Sequence, residues 1–432
     1  MKFNYGKIVL LGFGFFGVSV VWGVYNAFVP LFLANTFKLA PAMIGFFMTL
    51  DNFVALLIQP PVGAWSDRLK TRIGRRMPFL LVGAPLSALA FALIPIMAKA
   101  GILPLFVVCT SGLLLSMAFW RTPVVALMPD ITPSEKRSPA NGIINLMGGV
   151  GAIISFLGGA ALYKMNPSFP FWLGSLLVIL AVLMVFIFIR EPKMPAGTVS
   201  NEPQVSLLES LKEILHSEDK SALRILLAIF FWFVAYNAVE AFFSLYANKH
   251  LGLEESEGAR LLGQLSLLFV LFAIPAGTIG ARIGRRKTIQ AGIALMALLL
   301  AGIFVLPIET LTTPLTKLPV LGVVPVIGVF LMLAGIAWSL ININSLPMVV
   351  DMTVPEKIGT YTGLYYLFST LAAIAGPNIN GWLVQLTGNN YNNVMLLGPL
   401  FLIGAFVLMS GVRRGEANQA LGTVNLTSPA DD

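Results

Sequence analysis

The sequence predicts an all-α membrane protein of twelve transmembrane helices in two pseudo-symmetric halves of six. Three observations carry this. The 432 residues are 57% hydrophobic and only 11% charged, with a mean hydropathy of +0.85, whereas a soluble chain holds about 25% charged residues. Apolar runs of bilayer-spanning length, about 20 residues each, recur along the whole chain. Short matches then recur in register between the first half and the second.

The spans are expected at 8–34, 42–64, 77–98, 103–128, 142–162 and 169–189, then at 223–247, 260–281, 288–308, 321–347, 361–386 and 393–412. The runs are apolar on every face, which excludes the alternation of a membrane β-barrel. Lys2 and Lys7 precede the first run as in a signal peptide, but the run is too long and lacks a small-residue cleavage site, so it reads as a span. Residues 190–222 form the one long polar segment, a cytoplasmic linker between the halves 1–189 and 223–414. Within it SLLESLKEILHS has apolar residues at helical spacing and reads as a short surface helix. Residues 415–432 read as a polar cytoplasmic tail. With both termini inside, the cytoplasmic segments hold 21 of the 28 Lys and Arg and the outer loops hold six. That bias orients a plasma-membrane protein, expected to be monomeric with lipid around it, so that both termini are cytoplasmic.

The halves repeat each other. Asp130, Thr132, Glu135, Lys136 and Gly142 recur 221 positions later as Asp351, Thr353, Glu356, Lys357 and Gly363. Tyr25-Asn26-Ala27 recurs as Tyr236-Asn237-Ala238, and Gly74-Arg75-Arg76 as Gly284-Arg285-Arg286. Each half holds an even number of spans, so the repeat is parallel, as in transporters that rock two halves about a central site.

Composition excludes much other chemistry. One cysteine, Cys109, cannot form an internal bridge, and two histidines, His216 and His250, cannot build a histidine metal centre. The net charge of +8 is scattered between apolar runs, so no nucleic-acid partner is expected. Gly12-Phe-Gly14-Phe-Phe-Gly17 matches a dinucleotide-binding pattern but no strand precedes it, which leaves a helix-packing role. No GxxxxGK[ST] phosphate loop exists, so no ATP-driven engine, no cofactor and no metal are expected. A membrane enzyme would cluster His, Asp or Ser at one face, and a sensor would append a soluble domain; the sequence offers neither.

Ionisable residues inside spans are functional candidates, because a charge at mid-bilayer costs about 2.5–3.5 kcal/mol on insertion scales. These are Asp51, Arg121 and Glu240. Asp51 is either the proton-coupling carboxylate or one pinned to a neighbouring helix, with Glu240 the second coupling candidate or an outer-vestibule residue. Arg121, beside Trp120, can pair with a carboxylate or fork hydrogen bonds to sugar hydroxyls; the alternative is a structural ion pair. A sugar needs amides and hydroxyls at mid-depth. Asn26, Asn145, Tyr236 and Asn237 supply them, and so do Gln264, Asn342, Asn344 and Tyr365, although such residues also join helices. Trp338 and Asn342 share a face of the tenth span.

A family resemblance enters through two segments. GAWSDRLKTRIGRRMPFLLVGAP, from Gly63, resembles the loop 2–3 signature of the major facilitator superfamily, and its spacing is similar to the sucrose:proton symporters and their bacterial relatives among the glycoside–cation symporters. RTPVVALMPDITPSEKRSPANGIINLMGGVGA, from Arg121, is the second match. The resemblance implies the major facilitator fold and proton-coupled uptake of a disaccharide or glucoside of the sucrose or maltose type. Sodium coupling, export and other small solutes are the alternatives. It also implies that Asp67, Arg68, Arg75, Arg76, Asp130 and Asp351 form a latch favouring the outward-facing state; the alternative is solvated ion pairs. The plant carriers' span-four Asp corresponds to Leu114 here, and the acidic pair of melibiose-type carriers to Ala55 and Gln59, so the resemblance supplies no coupling carboxylate.

Overall fold

A computed structural model describes residues 5–132, 137–191, 207–216, 218–353 and 357–416. Glu135, Lys136 and Glu356 of the repeat, Lys2, about half of the linker (192–206 and Ser217) and residues 417–432 of the tail lie outside the described residues. The first half comprises α1 (Tyr5–Thr36), α2 (Pro41–Arg68), α3 (Met77–Ala100), α4 (Leu103–Ile131), α5 (Ala140–Met165) and α6 (Phe169–Phe188). The second comprises α7 (Ser221–Lys249), α8 (Glu255–Ile283), α9 (Arg285–Val305), α10 (Val326–Val350), α11 (Ile358–Leu386) and α12 (Val394–Ser410).

Eleven of these are both long and apolar enough to cross a membrane. The remaining one, α11, has the length, 29 residues, and no charged side chain, but it carries many amides and hydroxyls. Those groups are spent on neighbouring helices: Asn380 Nδ2 donates to the Ala238 carbonyl at 2.9 Å, and Tyr365 and Ser345 hydroxyls meet at 3.0 Å. Pairing of this kind lets a polar helix sit inside a bundle.

The repeat is visible in the packing. In the first half α1 packs on α5 and α6, α3 on α4 and α6, and α2 on α4; six helices later the same pairings recur as α7 on α11 and α12, α9 on α10 and α12, and α8 on α10. Gly12, Gly14 and Gly17 of α1 meet Met147 of α5, Val124 of α4 and Ala181 of α6 in turn, so the dinucleotide-like pattern serves helix packing. The expected surface helix runs over Leu207–His216, with Ile214 buried and Glu213 paired to Lys357 at 2.7 Å.

One span differs from expectation. Residues 321–325 are not helical; Pro314–Leu318 (β1) and Gly322–Pro325 (β2) pair antiparallel, and α10 starts at Val326. Gly322 takes a positive φ of 69° at the turn and Pro325 has no N–H to donate, so the apolar run breaks where hydropathy alone reads through.

Between the halves, packing runs through α1 with α7, α2 with α11 and α5 with α8. At the end opposite the termini, Gly381 fits against the Pro41 carbonyl and Gly45 against that of Pro377, too close in both cases for any side chain. Ala42 N–H donates to Gln385 at 3.2 Å, and Tyr163 O–H donates to Glu255 at 2.6 Å. Lys164 pairs with Glu254 at 3.2 Å and Glu257 at 2.8 Å. The hydrogen bonds and ion pairs seen to join the halves lie at this end or at mid-depth.

Candidate functional site

The ionisable candidates converge at mid-depth. α2 is broken at Met48 and Thr49, and a new helical segment starts at Leu50. Asp51 thus sits in the first turn of that segment, where the helix dipole favours an anion, and Asn52 Nδ2 donates to it at 2.9 Å. The break is fixed from the other half: buried Thr49 donates to the Phe46 carbonyl at 2.7 Å and accepts from Asn378 of α11 at 3.1 Å. Asp51 and Glu240 lie about ten residues from the outer ends of α2 and α7, roughly 15 Å deep.

Asp51 lies within electrostatic range of Arg121 on α4, of Tyr25 on α1 and of Glu240 across the interface. Asn26 of α1 stands beside the Glu240 carboxylate across the interface between the halves. The Arg121 guanidinium has no hydrogen bond and no ion pair within 4.0 Å among the described residues, and is only half-buried. Its donors are therefore free for a substrate, and it is the cation within range of Asp51. Glu240 also edges a narrow cavity of about 30 Å³ walled by Trp232, Phe243, Leu265 and Leu331. A water or two would fill it; a sugar ring would not, so a ligand of that size needs the space between the halves.

Aromatic groups flank this cluster. Tyr236 lies face to face with Trp338 at 4.0 Å and 6°, and Phe233 meets the same indole edge-on at 5.4 Å. Asn342, one turn beyond Trp338, is half-buried. Asn237 donates to the Phe233 carbonyl of its own helix at 2.7 Å, and Asn145, exposed, donates to Asn141 at 2.9 Å.

Four expected binding residues are placed elsewhere. Trp120 is wholly buried within the first half, its indole N–H donating to Ser87 at 3.0 Å. Asn344 is buried against α8, donating to the Ala276 carbonyl at 3.1 Å. Gln264 is wholly buried and holds the β-hairpin, donating to the Leu321 and Val323 carbonyls at 3.2 Å each. Tyr365 is buried against Ser345, whereas its neighbour Tyr366 is 56% exposed and faces Arg121 from the other half. In each case a span apolar on all sides gives no sign of which face turns inward. Tyr366 and Tyr25 are the residues that sequence reasoning missed; the tyrosine shared by both halves at Tyr25 and Tyr236 was the available signal.

The latch residues pair within their own halves. Asp130 bridges Arg75 at 2.7 Å and Arg76 at 2.8 Å, and Asp67 meets Arg76 at 2.6 Å. Arg285 pairs with Asp351. Arg68 is exposed. Glu191 and Glu416, which the motifs did not single out, accept backbone N–H groups at the starts of α3 and α9.

Comparisons with known proteins agree with this architecture. The sequence profile of the Major Facilitator Superfamily matches residues 11–377 and 265–425. The chain is 27% identical to Sucrose transport protein SUC3 of Arabidopsis thaliana over 174 residues, 36% of this chain. That match spans only 29% of the length of the plant protein. It is 21% identical to Multidrug resistance protein 2 of Bacillus subtilis over 401 residues, 91% of each chain. The solved structure of the nucleoside transporter NupG superposes with a TM-score of 0.73 at 14% identity, covering 94% of this chain and 100% of that one. A bacterial homolog of the human lysosomal transporter Spinster, inward-facing and occupied, gives 0.67 at 15% identity over 95% of each. With the profile covering most of the sequence and the repeated six-helix packing beneath it, the chain belongs to the Major Facilitator Superfamily and is a membrane transporter rather than an enzyme.

Proposed function

We propose that the protein is a secondary active symporter, moving a disaccharide or glucoside of the sucrose or maltose type together with a proton. It works by alternating access about a site between residues 1–189 and 223–414, with 190–222 as the cytoplasmic linker. The observation that carries this reading is the charge set at mid-depth: the carboxylates of Asp51 and Glu240 lie within electrostatic range of each other, and Asp51 lies within range of one cation, Arg121. A single added proton balances the set. Burial and a neighbouring cation pull a carboxyl's proton affinity in opposite directions, so a carboxyl that gains and loses Arg121 or water during the cycle binds and releases a proton. Asp51 is the first candidate carrier and Glu240 the second. Arg121, Asn26, Asn342 and Tyr366 supply donors for sugar hydroxyls, and the Tyr236–Trp338 pair offers an apolar face near the ring. The sucrose transport proteins among the relatives support the sugar assignment. The bundle sealed at the end opposite the termini corresponds to an inward-facing state of a plasma-membrane monomer with cytoplasmic termini.

Counterflow of labelled sucrose, maltose and trehalose in proteoliposomes, at set pH and sodium, tests the assignment. Exchange of at least one sugar, indifferent to sodium, is expected. Exchange of none of them would remove it. A second reading, export of another small apolar solute, draws on the full-length likeness to Multidrug resistance protein 2 and on the apolar wall beside Glu240. Dye efflux in the same vesicles, with no sugar exchange, would favour it.

A further inference from the structure

The two halves differ in the outward-facing connection between their third and fourth helices. α3 passes into α4 through Gly101 and Ile102 alone, whereas residues 306–325 lie between α9 and α10 and contain the short helix Ile308–Thr312 and the hairpin β1–β2. The hairpin is not a free loop. Arg260 of α8 donates to the Val323 carbonyl at 2.6 Å, one turn before Gln264, which donates to Leu321 and Val323. Those bonds hold Leu321 and Val324 inward, where both are buried, and they pack on Leu157 of α5, a residue of the opposite half.

Leu157 lies in a π-helical turn, Ile154–Gly158, in the middle of α5. Such a turn widens the helix locally and often marks a functional position. Gly263 of α8 faces it, with Leu157 Cδ2 only 2.4 Å from where a Cβ would stand. The leucine therefore fills a socket made by Gly263, Leu321 and Val324. A polar chain runs beside it: Lys164 of α5 pairs with Glu257, Glu257 with Arg260, and Arg260 with the hairpin carbonyl.

We propose that the hairpin β1–β2 is an outer gate element: fastened to α8 by Arg260 and Gln264, it completes the socket that grips Leu157 when the outer end is shut. This rests on the alternating-access reading above. Opening the outer end withdraws Leu157, uncovers Leu321 and Val324 and breaks the Lys164–Glu257 pair, so the hairpin biases the protein toward the outward-closed state. Gln264 is then a positioning residue for the gate rather than a sugar ligand, and the first half, with its two-residue connection, has no counterpart.

The test is spin-label distance measurement on the full chain in lipid, with Cys109→Ser as background and labels at Met165 and Leu386, one on each half at the outer end and both exposed. Leu157→Ala and Gln264→Leu should each add a long-distance population, raising the outward-open share by about tenfold, below the full cost of deleting a buried leucine. Cysteines placed at Leu157 and Leu321 in the same background, joined by a short bifunctional reagent, should arrest movement of the outer pair until the link is cleaved. Unchanged distances in both variants, or free movement in the cross-linked protein, would overturn the gate. If the unsubstituted pair shows one fixed distance at acid and neutral pH, with and without sugar, the alternating-access reading itself fails, a result distinct from the loss of the gate alone.

Discussion

Glu191 and Glu416 hold equivalent places in the two halves. Glu191, just past α6, accepts from the backbone N–H groups of Arg75, Arg76 and Met77 at 2.6, 2.8 and 2.9 Å; Glu416, just past α12, accepts from those of Arg285 and Arg286 at 2.7 and 3.1 Å. Each carboxylate thus caps the start of its half's third helix, satisfying donors that a helix leaves open and countering the positive end of its dipole. The caps tie the last helix of each half to the third at the end carrying the latch.

The caps should differ in weight. Glu191 holds three amides in a partly buried position, Glu416 two in an exposed one. Glu191→Ala should lower stability by about 1–2 kcal/mol, the upper range for losing a helix cap, and Glu416→Ala by less. Thermal melts of the two variants in the same detergent decide the order. Equal losses would mean that burial does not matter at these caps.

We propose that the latch acts by pairing that changes with state. In this arrangement Asp67 and Asp130 are taken up by Arg76 and Arg75 of their own half. If these groups also hold the inner ends together when the inner gate shuts, Asp67→Asn should raise labelling of a cysteine at Gln59 from the inside. Labelling that matches the unsubstituted protein would leave Asp67 as a solvated ion pair of small value.

Much of this fold was legible because membrane helices announce themselves by apolar length, and a parallel repeat is announced by Asp130 and Asp351 in register. Faces were not legible. Trp120 and Trp338 each lie on an apolar span near polar residues, yet one is locked to Ser87 inside its half and the other stacks on Tyr236. Tyr365 and Tyr366 are adjacent and point opposite ways for the same reason. The hairpin was hidden inside an apolar run, since Leu321 and Val324 are apolar for packing on Leu157 and not for lipid. The two capping glutamates belong to no repeated motif, because what they recognise is backbone.

Arg121 should be needed for charge and for shape separately. Arg121→Gln removes the cation beside Asp51 and should abolish both accumulation and exchange. Arg121→Lys keeps the charge but loses the planar fork, and should retain accumulation with sugar affinity reduced by about tenfold. Tyr366→Phe, lacking only a hydroxyl, should reduce affinity by less. Competition binding across the three variants gives the ranking, and a Lys variant as inactive as the Gln variant would contradict the charge role.

Orientation rests on the distribution of basic residues. In a Cys109→Ser background, a cysteine at Thr71 should react with an impermeant reagent only from the cytoplasmic side, and one at Lys317 in the hairpin only from outside. Reaction of Lys317→Cys from the cytoplasm would invert the gate described above.

Proton flux bears most directly on the central claim. Adding sucrose or maltose to proteoliposomes should draw protons inward with the sugar, and an inside-alkaline gradient should concentrate labelled sugar. Asp51→Asn should lose both responses while keeping part of its sugar exchange. Proton movement and concentration undiminished in that variant would show that Asp51 is structural and that coupling, if present, resides at Glu240; sugar uptake with no proton movement in the unsubstituted protein would contradict the symport account altogether.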